Sequence, residues 1–326
     1  MLDPKDGALL RALAERTLQW QQGSYYWGDA IAYDGLLDAD DRVGGGYSAE
    51  LARRLQRWAQ VAPDSWDDAL APGQAAARLV AAGTLPESVL QRVVEALLRL
   101  PLTSEGLPLL RPHVPEWRDL VWVDSLYHLP SSLVAAGQVL EREALIETGV
   151  ERARALLRVL ENGPAVAHAF DCGLGRSNDV LWTRGIGWAL LGALDVTARA
   201  PEAASAAGLP EAAQRLVDAL SAEQREDGHF PTVLGHAGAT CEASTAAFWT
   251  AAAHHPARPV TSESARRLAV SAVRAGVGPD GSYLNVSHDT HVRWEVIGYL
   301  DPPRKPSPWG QGAALRALAS AAGGLV

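Results

Sequence analysis

The stretch Trp182-Thr183-Arg184-Gly185-Ile186-Gly187-Trp188 introduces a predicted helix over residues 185–199, and it indicates the fold. Apolar side chains recur along that helix at the three- and four-residue spacing of an amphipathic helix. The same spacing recurs nearly everywhere in the chain, where Ala and Leu dominate and alternating runs of β-branched residues are scarce. The sequence therefore predicts an all-α protein.

Breaks at Gly, Pro, Asp, Ser and Thr divide the chain into twelve predicted helices. These cover residues 7–21, 28–38, 48–61, 69–82, 86–99, 124–137, 142–159, 185–199, 210–224, 242–255, 262–275 and 311–322. No Pro- or Ser-rich linker interrupts the series, so residues 1–326 are interpreted as a single domain. Twelve helices with short links pair into six hairpins. Because the architecture recurs without a repeated sequence, a closed (α/α)6 barrel is favoured over an open solenoid.

Every even-numbered predicted helix begins with polar and aromatic residues, whereas the odd-numbered helices resemble solvated outer faces. The other five even starts are Tyr25-Tyr26-Trp27, Trp66-Asp67-Asp68, Trp122-Val123-Asp124, Glu242-Ala243-Ser244 and Trp309-Gly310-Gln311-Gly312. If the even helices form the inner ring, their N-termini converge on one mouth of the barrel. Unpaired backbone N–H groups and helix dipoles favour anions there. The sequence thus predicts a pocket for a negatively charged sugar.

Charge and composition exclude several classes of partner. The chain has 29 basic and 38 acidic residues, a formal charge of −9, and no run of Lys or Arg, which argues against nucleic acid and membrane surfaces. No apolar stretch reaches the ~18 to 20 residues of a membrane span, and the first residues lack a signal-peptide pattern. We therefore expect a cytoplasmic protein that is a monomer or a homodimer.

The cysteine and tryptophan residues of the chain indicate which kind of ligand it binds. Cys172 and Cys241 are too isolated for a disulfide framework or a zinc site, and no His or carboxylate cluster has convincing metal spacing. The sequence therefore predicts no metal site. Eleven of the 21 aromatic residues are Trp, whose flat faces suit sugar rings. An oligosaccharide is therefore the expected substrate.

Asp68 and Asp124 are the candidate catalytic residues. Each would serve as a helix N-cap if considered alone. Capping does not explain why both lie beside Trp at corresponding ends of two inner helices. A pair of carboxyl groups near aromatic and His side chains suits acid–base chemistry.

Candidate binding residues surround these carboxyl groups in the predicted mouth. They are Trp27, His113, His168, Trp182, Arg184 and Trp188. The Arg184 fork suits a sugar carboxylate, and the Trp faces suit stacking. Asp171 is expected to orient His168 through a hydrogen bond. Two alternatives stay open: the histidines are structural, or Trp182 and Trp188 fill the core while Arg184 forms a buried ion pair.

At these residues the chain resembles the unsaturated uronyl hydrolases of glycoside hydrolase families 88 and 105, closest to the unsaturated rhamnogalacturonyl hydrolase branch. The matching strings are 68–73, His113 before 122–127, 168–171, 182–188, 242–244 and 310–312. Three positions depart from the usual strings, and the first is Ser125, which stands where Gly is usual. His128 stands where Met is usual, and Ile186 where Asn is common.

The resemblance implies an (α/α)6 barrel, no cofactor, and hydration of the C4=C5 bond of a 4,5-unsaturated uronic acid at the non-reducing end of lyase products. It implies that Asp124 protonates C4 and activates water for C5, that Asp68 assists, and that the residues named above bind the unsaturated ring. Two other readings stay open: a sugar epimerase or saturated glycosidase on the same barrel, and a carbohydrate-binding protein without activity. The parent polysaccharide and the leaving sugar are not specified.

Overall fold

The computed structural model describes residues 3–20, 27–61 and 72–322, and within these ranges it has fifteen helices. They are α1 (Pro4–Leu18), α2 (Trp27–Val43), α3 (Tyr47–Val61), α4 (Gly73–Ala81), α5 (Glu87–Leu98), α6 (Ser125–His128), α7 (Pro130–Val139), α8 (Glu143–Leu160), α9 (Thr183–Arg199), α10 (Pro201–Ala206), α11 (Leu209–Ser221), α12 (Ala243–Ala253), α13 (Glu263–Ala275), α14 (Ile297–Leu300) and α15 (Pro308–Ala321). None of the helices in these ranges is both long and apolar enough to cross a bilayer.

Six helices form a closed inner ring. Neighbours contact one another in the order α2, α4, α7, α9, α12, α15 and back to α2. The outer helices α1, α3, α5, α8, α11 and α13 pack against this ring. Every residue of α12 is buried, as expected for a helix that is surrounded by protein on all sides. The architecture is the predicted six-hairpin helical barrel.

The first and last inner helices close the ring through two glycines. A Cβ on Gly35 would lie 2.5 Å from the carbonyl oxygen of Gly312, and one on Gly312 would lie 2.4 Å from the backbone nitrogen of Ala32. Only a residue without a side chain lets the backbones approach this closely. Between the glycines of the 310–312 string, Gln311 donates to the Gly281 carbonyl at 3.1 Å. This string therefore serves helix packing.

Each of the twelve predicted helices has a counterpart, with differences that have local causes. The predicted helix over 124–137 is two helices, because Pro130 lacks the N–H that would continue the first one. The short helices α10 and α14 were not predicted. Residues 69–71, the start of the predicted fourth helix, lie outside the described residues.

Short strands shape the loops at one end of the barrel. β1 (Leu120–Trp122), β4 (Ala169–Asp171) and β5 (Arg176–Ser177) form an antiparallel sheet in that order. The pairs β2 (Glu161–Asn162) with β3 (Ala165–Val166), and β6 (Phe230–Pro231) with β7 (Cys241–Glu242), are two-stranded. In the larger sheet Trp122 lies opposite Ala169. This register places the residues that follow β1 beside those that precede β4.

A layer of polar side chains lies inside the barrel towards the C-terminal ends of the inner helices, and we call it the central polar layer. Each of the six hairpins supplies one member. The members are Asp34, Gln74, Tyr127, Asp195, His255 and Arg316. Arg316 donates to both Asp195 carboxylate oxygens at 3.0 and 3.1 Å and to the Tyr127 hydroxyl at 3.1 Å. Gln74 and His255 also bond Asp195, each at 3.1 Å. The layer ties the six hairpins together beneath the mouth.

Two carboxyl groups in the central polar layer have opposite protonation preferences. Burial raises the pKa of Asp34 to about 6, although the Tyr127 hydroxyl donates to it at 2.5 Å. Burial also opposes ionisation of Asp195, but the Arg316 guanidinium and a bond from His255 hold the pKa of Asp195 well below its usual range. Asp195 is thus the anion that balances Arg316.

Candidate active site

The starts of four inner helices, α2, α9, α12 and α15, meet at one end of the barrel, as the sequence predicts. Trp27, at the start of α2, stacks on Trp309 of α15 with ring centroids 4.8 Å apart. The Arg184 guanidinium of α9 lies 5.5 Å from the Trp309 ring, and its Nη1 is 3.8 Å from Glu242, the N-cap of α12. The residues singled out from these helix starts therefore border one region.

Asp124 lies in this region beside His168. The residue follows β1 and occupies the N-cap of α6, but within the described chain its side chain makes no capping hydrogen bond. Only 8% of Asp124 is exposed, and its Oδ2 is 3.8 Å from Nε2 of His168. The Val123 N–H donates to the His168 carbonyl at 2.9 Å, which fixes the two backbones together. Capping therefore does not explain Asp124.

His168 is a neutral ring held by a tyrosine. Its Nδ1 is 2.8 Å from the Tyr299 hydroxyl, which also accepts from the Arg293 backbone N–H at 2.9 Å and from Asn178 Nδ2 at 3.2 Å. Burial and the nearby Arg184 cation hold the pKa of His168 well below its usual range. A neutral imidazole adds no positive charge that would favour the ionised form of Asp124.

The prediction that Asp171 orients His168 through a hydrogen bond was wrong. Asp171 accepts from the Leu174 backbone N–H at 2.9 Å within its own turn, and Tyr299 orients the His168 ring instead. Tyr299 lies 131 positions along the chain from His168, so no local pattern points to it. The short helix α14, which carries Tyr299, was also not predicted.

Trp122, Trp182 and Arg184 surround His168, and we call these three residues the wall. The Trp182 ring is 4.3 Å from the His168 ring, and Trp122 meets His168 edge-on at 5.5 Å. The Arg184 guanidinium lies 4.5 Å from the centre of the Trp182 ring. These edge-on, tilted and cation–π contacts orient both indoles.

Both terminal nitrogens of Arg184 donate to one loop. Nη1 bonds the carbonyl and the hydroxyl of Ser287 at 2.6 and 3.0 Å, and Nη2 bonds the His288 carbonyl and the Thr290 hydroxyl at 3.0 Å each. Glu242 accepts from the Ser287 N–H at 2.9 Å. This is the buried arrangement that the sequence left open as an alternative, and contact between Arg184 and a substrate stays a prediction.

A second aromatic group lies around Trp188, which is fully buried. Its ring is 6.1 Å from Trp27, 5.1 Å from His128, 4.9 Å from Tyr127 and 4.5 Å from Phe248. A Cβ on Gly187 would lie 2.7 Å from Cβ of Phe248, so this glycine serves helix packing. Trp27, which is half-buried, connects this group to Trp309.

Two of the predicted residues differ from the buried ones, because one lies outside the described ranges and the other is exposed. Asp68 lies outside the described residues, so its distance from Asp124 stays a prediction. His113 is exposed in the loop that precedes β1, whereas Asp124 and His168 are buried. The structure therefore separates the two histidines by burial.

Many buried polar atoms near Asp124 have no hydrogen-bond partner among the described residues. They are the indole nitrogens of Trp122, Trp182 and Trp188, Nε2 of His168, the hydroxyl of Ser125 and both ring nitrogens of His128. Buried polar groups in folded proteins are nearly always bonded to protein, water or ligand. Their concentration around one buried carboxyl group indicates a binding site for a polar molecule that is rich in hydroxyl groups.

A basic and aromatic cluster lies next to this wall. The Arg111 guanidinium is 4.9 Å from the Trp117 ring and 5.2 Å from the Trp122 ring, while His291 stacks on Trp117 at 5.0 Å. Arg111 is half-buried. This cluster could not be predicted from local sequence, because Arg111 and His291 are 180 positions apart.

Comparisons with known proteins establish the family of this chain. A profile of Glycosyl Hydrolase Family 88 matches residues 11–323, nearly the whole chain. The chain belongs to glycosyl hydrolase family 88. A comparison with curated proteins gives no match. As a member of family 88 the protein is a glycoside hydrolase, and its substrate is a carbohydrate.

Solved structures share the family 88 barrel at low sequence identity. A possible member of the GH105 family from Klebsiella pneumoniae has a TM-score of 0.85 and 18% identity, over 99% of this chain and 94% of that one. A second possible GH105 member, from Salmonella enterica, has a TM-score of 0.86 and 17% identity, over 98% and 94%. An unsaturated glucuronyl hydrolase from Bacillus sp. GL1 has a TM-score of 0.73 and 16% identity, over 95% and 94%. These likenesses establish the fold.

Proposed function

We propose that this family 88 protein adds water to the C4=C5 bond of a 4,5-unsaturated uronic acid at the non-reducing end of an oligosaccharide. The observation that carries the proposal is a buried Asp124 beside the neutral His168, ringed by indole N–H groups that have no partner among the described residues. The similarity to an unsaturated glucuronyl hydrolase supports the same reaction.

In the proposed reaction, Asp124 gives its proton to C4, and the positive charge that develops at C5 is shared with the ring oxygen. Water adds at C5 and returns a proton to Asp124, so the net change is the addition of one water molecule. The hemiketal at C5 then opens, and the hemiacetal left at C1 expels the leaving sugar. Proton transfer from a positioned side chain contributes typically ~10²–10⁴ in rate. Asp124 must carry a proton when the substrate binds.

The surrounding residues are proposed to bind and orient the unsaturated ring. The Trp182 ring lies 4.3 Å from the His168 ring and has an indole N–H without a partner among the described residues, and Trp27 supplies a half-buried face. We assign recognition of the substrate's anionic groups to Arg111, a half-buried cation at the edge of the wall. Arg184 is proposed to hold the 287–290 loop against the wall. Asp68 remains the proposed partner of Asp124 in handling substrate hydroxyls.

Features of the site favour hydration over the other reactions considered. An epimerase of this kind would use two His bases facing each other across the sugar, but His113 is exposed while His168 is buried. A carbohydrate-binding protein without activity has no need for a buried carboxyl group that does not cap its helix. A saturated glycosidase places two carboxyl groups across the glycosidic bond. Hydration at C4 and C5 instead uses one residue in both proton transfers.

Lyase digests of several polysaccharides, incubated with the purified protein, test the proposal. The conjugated carboxylate of the unsaturated ring absorbs ultraviolet light, and hydration removes that absorbance. We expect loss of absorbance with at least one digest and none with Asp124→Asn, whose melting temperature should match that of the wild type. Digests that all keep their absorbance with the wild-type protein, or equal turnover by Asp124→Asn, would contradict the proposal.

A further inference from the structure

His128 stands one helical turn below Asp124. It is the last residue of α6, and its backbone N–H donates to the Asp124 carbonyl at 3.3 Å. Residues four positions apart project from the same face of a helix, about 5.4 Å apart along its axis. The His128 side chain therefore lies on the face that carries Asp124, one turn deeper in the barrel.

The His128 ring is enclosed by aromatic groups. Its centroid is 5.1 Å from Trp188, 5.4 Å from Tyr127 and 6.5 Å from Trp27, and only 2% of the residue is exposed. Among the described residues neither of its ring nitrogens has a hydrogen-bond partner. The Trp188 indole nitrogen beside it also has none. A structural role does not explain a histidine here, because an apolar side chain would fill the same space without burying unbonded nitrogens.

Burial also fixes the charge of this ring. It lowers the pKa of His128 to about 3, so the imidazole is neutral at the pH of any ordinary assay. A neutral imidazole has one N–H donor and one acceptor nitrogen. It is therefore suited to a hydroxyl group, which both donates and accepts, and it offers no charge to a carboxylate or a sulfate.

We propose that His128 binds a hydroxyl group of the sugar ring that sits against Asp124, and that it helps to determine which sugar the enzyme accepts. This inference rests on the proposed function. A 4,5-unsaturated uronic acid joined through C1 has hydroxyl groups only at C2 and C3. The partner of His128 is accordingly the 2-hydroxyl or the 3-hydroxyl.

A mutant cycle that pairs enzyme variants with substrate analogues tests this contact. The enzymes are the wild type, His128→Met, and His128→Gln, which keeps a donor and an acceptor. His254→Met is the matched control, because this half-buried histidine follows α12 at the opposite end of the barrel. The substrates are one unsaturated disaccharide that the wild type turns over and its 2-deoxy and 3-deoxy analogues. Each protein is first checked by its melting temperature.

We expect His128→Met to lower kcat/KM for the parent disaccharide about 10- to 100-fold, the range for loss of a buried hydrogen-bonded contact. The same substitution should have little effect on one of the two deoxy analogues, and His128→Gln should recover part of the loss. His254→Met should match the wild type on all three substrates.

Two results overturn the contact: an equal loss on all three substrates, or no loss on the parent disaccharide. If the wild-type protein turns over no unsaturated disaccharide, the proposed function itself fails, and the His128 contact fails with it.

Discussion

Replacing His128 by Met should make the protein less sensitive to acid. The folded state resists protonation of this buried ring, whose pKa is about 3, whereas the same group in the unfolded chain binds a proton near 6.5. A histidine with a lowered folded pKa stabilises the fold above pH 6.5, and that stabilisation is lost as the pH falls towards 3. The size of the loss follows from the two pKa values.

At pH 5 the solution is 1.5 units below the unfolded pKa of 6.5. One unit corresponds to 1.36 kcal/mol, so protonation of the unfolded histidine removes about 2 kcal/mol of the free energy of unfolding between pH 8 and pH 5. His128→Met lacks this group, and Met fills a similar volume. The variant should therefore lose about 2 kcal/mol less than the wild type over this interval.

Urea unfolding at pH 8 and pH 5, followed by tryptophan fluorescence, measures the difference. About 2 kcal/mol shifts the urea midpoint by on the order of 0.5 M for a protein of this size. Other titrating groups, including His168, are shared by both proteins and cancel in the comparison. The exposed His236→Met variant is the control and should behave as the wild type. If His128→Met and the wild type lose equal stability between the two pH values, the reasoning about His128 is refuted.

Three further predictions concern the central polar layer and the mouth. The raised pKa of Asp34, about 6 against 3.8 for the unfolded group, stabilises the fold below pH 4, and this is lost as the pH rises through 6. Asp34→Asn should therefore gain up to about 3 kcal/mol relative to the wild type between pH 4 and pH 7, measured by urea unfolding. Arg316→Met leaves the buried Asp195 without its main counterion and should lower the free energy of unfolding by about 3–5 kcal/mol; an effect below 1 kcal/mol would contradict the pairing. Arg111→Gln should raise KM for an unsaturated disaccharide at least about tenfold, with a smaller change in kcat, while the exposed Arg118→Gln in the same loop should not.

The helical barrel could be predicted from the sequence, because inner and outer helices differ in local composition. Residues 182–199 are apolar on nearly every side and begin with two Trp, whereas an outer helix such as α13 has one apolar face and a charged one. Burial of whole helices requires a surrounding ring, so the layering follows from composition. The positions of Trp27 and Asp124 at helix starts likewise placed them at one mouth.

The contacts between distant segments could not be predicted from the sequence. Tyr299 reaches His168 and the 287–290 loop reaches Arg184 only because the ring closes, which brings α14 and the loop before α15 against α9. The central polar layer is assembled the same way, from one side chain per hairpin. No residue near Arg316 or Asp195 in the chain indicates that the two form a buried pair.

The role of His128 could be predicted only in part from the sequence. Its departure from the related strings was visible in the sequence, but a single altered residue has no meaning until its surroundings are known. The structure supplies them: the turn shared with Asp124, the enclosing indoles and the unbonded nitrogens.

The central claim is that water adds across C4 and C5 of an unsaturated ring and that Asp124 supplies the proton. An unsaturated disaccharide linked through sulfur instead of oxygen tests it most directly, because hydration does not require protonation of the linking atom. We expect the wild-type protein to remove the ultraviolet absorbance of the sulfur-linked substrate at a rate comparable with that of the oxygen-linked one, and Asp124→Asn to remove neither. Turnover of the oxygen-linked substrate with full retention of absorbance by the sulfur-linked one would contradict the account.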